Sequence, residues 1–334
     1  MKSTIIITSR QEERNQPVNL NQRDIDLFKH EFSLALSPVT AIEFSNISVL
    51  RNVLFSLQKL TFFKAYTHLY STPKKYFLKR LLLFLTIHQH LEHGIWITDE
   101  ISSEYFHWFT DALTRLKAIA SHEDTEKLKK QFPVILPESY KTKPYIIESL
   151  KLMGYTPFFY NPKKRLQVAV LLSCSHTAPT GNYNSELILS INKSLAIPPK
   201  EEPNRKIYVS RAKALTRKVL NEESLTQLLT DYGYEIHIFE DYTFTRQLEI
   251  MSSTKTMIGL HGAGLTNMLF MKCGGQILEL RNEGDSHNNC YFSLSASLNH
   301  DYYYLNNRGD TEDTYNVNIT VNPDSLKEVL ALLK

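Results

Sequence analysis

The chain has 334 residues, of which 42% are hydrophobic and 22% charged, and carries a formal net charge of +3. That length is long for one compact core and comfortable for two domains, and the balance excludes a disordered chain. The small positive charge also falls well short of the basic footprint of a nucleic-acid binder, so no nucleic-acid partner is expected.

The chain opens with MKSTIIITSRQEERN, an apolar run too short for a signal peptide. No stretch reaches the ~18 apolar residues of a spanning helix; LLLFLTI comes nearest, between Lys79, Arg80 and His88. Cys174, Cys273 and Cys290 form no CxxC, which fits a reduced, cytoplasmic setting. The first ~90 residues read as helical and aromatic-rich, with Gly94 as the helix stop after PKKYFLKRLLLFLTIHQHLEH. Within them, Asp24 and Asp26 make a literal DxD that reads as surface. His88, His90 and His93 are too divergent on a helix to share a metal.

From there strand and helix alternate. IWIT reads as a strand and SEYFHWFTDALTRLKAI as a helix begun by Ser102 or Ser103. FPVIL is a strand, PYIIESLKLMG a helix closed by Gly154, and TPFFY and LQVAVLL are strands. AIPPKEEPNRK, residues 196 to 206, is proline-rich and reads as a connection between domains. The alternation then resumes through IYVS, EESLTQLLTDYG, EIHIFE, FTRQLEIMSS, KTMIGL, LTNMLFM, QILELR, NCYFSLSASL and DYYYL. Such alternation predicts an α/β protein with parallel sheets in two halves and a ligand cleft between them.

Three features of the second half suggest phosphate chemistry. HGAGLTN follows a strand and opens a helical stretch, where free backbone N–H groups and bare glycines suit an anion; a purely structural turn explains the glycines equally well. No lysine follows as a P-loop needs, and no GxSxG accompanies it as a hydrolase needs. Arg211 and Arg217 flank a loop after the IYVS strand, and their planar guanidinium groups suit phosphate oxygens. Lys206, Lys213 and Lys218 read as solvated. Asn221 reads as a helix cap. Glu279, in QILELR, is either an acceptor for a ribose diol or the partner of Arg281.

These residues in their order, IYVSR, RKVLNEESL, GYEIHIFED, IMSSTKTMIGLHGAGLTNMLFM and ILEL, resemble glycosyltransferase family 61 over residues 206 to 305, and YFHWFTDALTRL is similar to that family's N-terminal signature. The resemblance implies a GT-B fold: two Rossmann-like parallel-sheet domains facing a cleft, here with a helical N-terminal region. It divides the chain into an acceptor-side domain (1–197), a nucleotide-sugar domain (205–315) and a C-terminal segment (316–334) whose helix packs back on the first domain. It further implies inverting transfer from a nucleotide-sugar to a glycan or lipid- or protein-linked acceptor, with no metal or other cofactor. Arg211, Arg217, Asn221, His261, Gly262, Ala263, Gly264, Leu265, Thr266, Asn267 and Glu279 would surround the donor.

His107 and Asp111 lie four apart on the predicted helix and Arg115 continues the stripe. On spacing alone Asp111 and Arg115 would form a surface ion pair. The resemblance instead makes Asp111 the general base with His107 orienting or replacing it. Many eukaryotic members of the family carry a membrane anchor and this chain shows none, so a cytoplasmic role in surface-polysaccharide assembly is expected. The basic, aromatic segment LQKLTFFKAYTHLYSTPKKYFLKRLLLF adds a peripheral membrane contact. The competing reading is a non-catalytic nucleotide-binding adaptor of polysaccharide assembly with the same fold.

Overall fold

The computed structural model describes residues 1–66, 75–283, 288–312 and 316–333. The chain forms two compact units, Met1–Arg10 with Leu36–Pro179 and Gln11–Ala35 with Thr180–Lys334. The division thus falls after Pro179 and not near residue 197, and a piece of the N-terminus belongs with the C-terminal half.

The first unit is built on an eight-stranded sheet. Leu166–Cys174 lies between Val39–Leu50, which it pairs antiparallel, and Gln89–Trp96, which it pairs parallel. Val134–Pro137 and Pro157–Tyr160 extend the parallel side. Val53–Ser56 and Thr61–Phe63 extend the other side as antiparallel hairpins, and Lys2–Ile7 pairs with Val39–Leu50. The region expected to be helical therefore supplies strands. VTAIEFSNISVL is rich in β-branched residues, whose stiff side chains favour a pleated surface over a helix.

Gly94 is no helix stop. It sits inside Gln89–Trp96, where an added Cβ would lie 2.8 Å from Ile135 Cγ1. The glycine permits close packing within the sheet. It also puts His90 and His93 on a strand, so the helical argument about their directions does not apply. Gly154, by contrast, does close its helix: it has φ 80° after Pro144–Leu152, and the next N–H, of Tyr155, reaches back to the Leu150 carbonyl at 2.8 Å.

The second unit holds a six-stranded sheet in the order Glu235–His237, Arg205–Val209, Thr254–Leu260, Gln276–Asn282, Asp301–Gly309, Ile319–Thr320. All neighbours are parallel except the last pair. Helices cover the sheet, and every residue of Gln276–Asn282 is buried, the polar Gln276, Glu279, Arg281 and Asn282 included. The final helix, Pro323–Leu330, places Leu326, Val329 and Leu330 in one cluster with Tyr208, Leu229, Ile258 and Tyr303. It completes the core of the second unit.

Helix Ile25–Phe32 is the N-terminal contribution to this unit. Phe28 is fully buried and meets Phe292 edge-on with ring centroids 5.3 Å apart, and the Arg281 guanidinium lies over its other surroundings at 5.1 Å from the ring centre. Burying such a ring stabilises by roughly 1.5–3 kcal/mol. Asp24, the first member of the DxD, accepts a 2.6 Å hydrogen bond from the Tyr304 hydroxyl, while Asp26 pairs with Lys29 on the surface. Among the described residues no helix is long and apolar enough to cross a membrane.

His300 is buried between two backbone groups: Nδ1 accepts from the Gly275 N–H at 2.9 Å and Nε2 donates to the Met268 carbonyl at 3.2 Å. Burial lowers its pKa from 6.5 to about 4, so the folded state resists protonation more than the unfolded chain does. Its contribution to stability is complete above pH 6.5 and is lost as the pH falls toward 4, amounting to about 3 kcal/mol. Chemical denaturation across that window should show the loss, and His300→Asn should flatten that part of the profile from a lower starting stability. Parallel profiles for the two proteins would show that His300 does not carry the effect.

Candidate active site

Strands Arg205–Val209 and Thr254–Leu260 run side by side with Val209 opposite Gly259, so the loops that leave them emerge at the same carboxyl edge. One loop begins with Arg211, the other with His261 and Gly262. The Arg211 side chain crosses between them. Its Nε donates to the Arg217 carbonyl at 3.0 Å and its Nη2 to the Thr216 carbonyl at 3.3 Å. Its guanidinium lies against Gly262, where an added Cβ would stand 3.0 Å from Cζ and closer still to Nη1. The glycine is required there because the guanidinium occupies the space of a side chain.

Arg217 presents its carbonyl to Arg211 by adopting φ 59°, an uncommon conformation for a residue with a side chain. Its own Nε is buried with no hydrogen-bond partner among the described residues. Burial first, and then the charge of Arg217, hold Arg211 below the usual guanidinium range. Among the described residues neither arginine forms a salt bridge with a carboxylate; the surface lysine Lys213 does, with Asp241, and Lys206 sits over the Tyr234 ring at 5.7 Å. Two neighbouring cations, partly withdrawn from water and short of counter-charge, favour an anion.

The helix after Gly262, Ala263–Phe270, is a 3-10 helix with no side-chain cap at its start. Leu265 N–H bonds back to the Gly262 carbonyl at 2.9 Å, and the N–H groups of Ala263 and Gly264 precede the first intrahelical bond. Leu265, Thr266 and Asn267 are buried, and Asn267 turns its amide to the Gly264 carbonyl at 2.9 Å. These three shape the turn from within. Gly264 faces Val209, whose Cγ1 would be 3.1 Å from an added Cβ.

Behind the loop lies a buried carboxylate. Glu279 is fully buried; Oε1 accepts from His261 Nδ1, and Oε2 accepts from the Tyr302 hydroxyl at 2.5 Å. Burial pushes this carboxyl up, but His261, Arg281 and Tyr302 together outweigh it and hold the group below the ordinary carboxylate value. Both oxygens of Glu279 are engaged inside the protein, one of them on the His261 ring, which favours the alternative of a structural partner. Among the described residues the other ring nitrogen of His261 has no hydrogen-bond partner, and the side chain is 12% exposed. Tyr291 meets the His261 ring with centroids 5.0 Å apart.

Asn221 also differs from expectation. It stands at the N-terminus of its helix, but its amide donates to the Val321 carbonyl at 2.8 Å and accepts from the Val321 N–H at 3.0 Å, a two-point clamp in place of a side-chain cap. Tyr291 and Tyr302 were the site residues that sequence reasoning passed over. DYYYL advertised only a strand, and which of its tyrosines meets Glu279 depends on sheet register.

In the first unit, Tyr105–His122 is one helical stretch interrupted by a π-turn at Trp108–Ala112 and led by Glu104 in place of Ser102 or Ser103. Ser102 instead bonds to Asp99. Such turns insert a residue and redirect the side chains around it. His107 Nδ1 donates to Asp111 Oδ2 at 2.7 Å, with the side chains 22% and 13% exposed. Among the described residues Asp111 Oδ1 has a single long contact, 3.5 Å, with Thr110 Oγ1. Arg115 does not join them. It is buried and donates to the carbonyls of Ile97 (2.9 Å) and Cys174 (2.8 Å) and to Ser173 Oγ, pinning the helix to the ends of two parallel strands. Trp108 Nε1 donates to Ser149 Oγ at 2.9 Å and holds the opposite side.

A family model for glycosyltransferase 61 matches residues 105–278. The chain is 37% identical over 142 residues to the EGF domain-specific O-linked N-acetylglucosamine transferase of Drosophila melanogaster, covering 41% of this chain and 25% of that protein. It is 29% identical over 182 residues to the protein of that name from Bos taurus, covering 52% and 32%, and 28% identical over 190 residues to the one from Rattus norvegicus, covering 54% and 34%. The matched region thus spans between 25% and 34% of the length of these relatives.

Gly262→Ala should push the Arg211 guanidinium from its seat and cost about 1–3 kcal/mol of stability. Thermal unfolding of the variant checks this; an unchanged melting temperature would mean that the arginine does not need the space.

Proposed function

Because the chain belongs to glycosyltransferase family 61, we propose that it moves a sugar from a nucleotide-sugar donor to a glycan or a lipid- or protein-linked acceptor by inverting, metal-independent direct displacement. The two units act in this reading as the halves of a GT-B enzyme, with the donor on the second and the acceptor base on the first. The observation that carries it is the Arg211–Gly262–Arg217 cluster at the carboxyl edge of the parallel sheet, whose charge is not balanced by a salt bridge.

In direct displacement the acceptor hydroxyl loses its proton as its oxygen attacks the anomeric carbon, and the bond from that carbon to the diphosphate breaks. Asp111 takes the proton on a carboxylate oriented by His107. Arg211, Arg217 and the N–H groups of Ala263 and Gly264 receive the negative charge that gathers on the departing diphosphate. His261, held by Glu279, supplies a further hydrogen bond from its second ring nitrogen. The name of the relatives makes N-acetylglucosamine the first donor sugar to try.

A nucleoside diphosphate should raise the melting temperature in the presence of EDTA, and Arg217→Ala should weaken that shift. Asp111→Asn should lower the rate of transfer by about 10²–10⁴-fold while leaving the shift intact. Transfer at the wild-type rate by the Asp111 variant would remove it as the base, a requirement for divalent metal would overturn the metal-independent mechanism, and binding without transfer across a broad donor panel would favour the adaptor.

A further inference from the structure

We propose that the hairpin tip Leu57–Leu60 and the segment Lys79–Leu85, both in the first unit, form a contact surface for an anionic lipid bilayer. This goes beyond sugar transfer and does not depend on it.

The inward side of these segments is well packed. Phe55 and Phe62 stack on each other with centroids 4.7 Å apart, Phe62 meets Phe77 at 5.3 Å, and Phe84 meets Phe55 at 5.7 Å. Leu81 and Leu83 pack against the same cluster. The outward side is apolar as well, which the fold does not require. In a 3-10 helix residues three apart stack on one line, so Lys79, Leu82 and Leu85 form a single stripe. Leu82 is 64% exposed and Leu85 85%, and Ile87 beyond them is 83% exposed.

The hairpin tip repeats the pattern. Leu57 and Leu60 are 57% and 75% exposed, and Leu60 adopts φ 47°. A left-handed turn position normally takes glycine or asparagine. A leucine there accepts backbone strain and exposes its side chain to water, and the fold gains nothing from either. Exposed apolar residues gathered in this way mark an interaction surface.

Charge decides the occupant. From Phe44 to Leu91 the sequence contains no Asp or Glu, while Arg51, Lys59, Lys64, Lys79 and Arg80 all fall within it. The Arg80 and Lys64 cations lie over the Phe77 ring at 4.9 and 5.7 Å, and Glu100, outside the stretch, is the carboxylate whose charge acts on Arg80. Projecting leucines among cations with no carboxylate in the stretch match an anionic bilayer, whose headgroups attract the cations and whose acyl boundary accepts the leucines.

Sedimentation of the full chain with vesicles tests this. The protein should bind vesicles of phosphatidylcholine with phosphatidylserine, bind phosphatidylcholine alone far less, and be released by added salt. Leu82→Ser combined with Leu85→Ser should bind about ten-fold less while keeping the wild-type melting temperature, since both residues are exposed. Equal binding of the double variant, no preference for the anionic vesicles, or a salt-resistant dimer that forms without lipid and is abolished by the same substitutions would overturn the proposal. The last result would assign the face to a second copy of the chain.

Discussion

A single buried carboxylate organises the second unit of this protein. Glu279 sits in the middle of a parallel strand with no access to solvent, where an isolated charge would be strongly unfavourable. It is tolerated because His261 and Tyr302 occupy its two oxygens and Arg281 adds positive charge nearby. The same arrangement fixes the His261 ring at the mouth of the glycine turn. The turn in turn bears on where Arg211 can lie, since its guanidinium rests where Gly262 carries no side chain. Charge burial, ring orientation and arginine placement are thus one coupled problem with one solution.

The first unit solves a related problem differently. There the buried charge is a guanidinium, Arg115, and it is satisfied by carbonyl groups at the ends of two strands. Arg115 anchors the helix one turn beyond the π-turn that contains Asp111, which meets His107. The carboxylate can therefore remain partly exposed without the helix losing its hold on the sheet.

How much of this was legible in the sequence depended on the range of the interaction. Strand and helix alternation in the second half follows from local hydrophobic pattern, and it is present from Arg205 to Gly309. The glycine turn and the arginine pair could be read because they are short and contiguous. The strands of the first 66 residues could not, because aromatic and β-branched residues in a sheet and in an amphipathic helix leave similar apolar counts. Gly94 misled for a related reason: a glycine needed for packing against Ile135 looks the same in sequence as one that ends a helix. The roles of Glu279 and Asn221 were out of reach, since their partners lie 23 and 100 residues away. The presence of an important carboxylate was visible; its direction was not.

The placement of residues 11–35 has a bearing on how the molecule is made. That segment is synthesised well before Phe292, Tyr302 and Tyr304, which line the aromatic pocket for Phe28. It must therefore wait, with an apolar ring uncovered, until those residues have been made. Completion of the second unit depends on a contact that is long-range in sequence, and a fragment starting at Thr180 would lack the helix that supplies it.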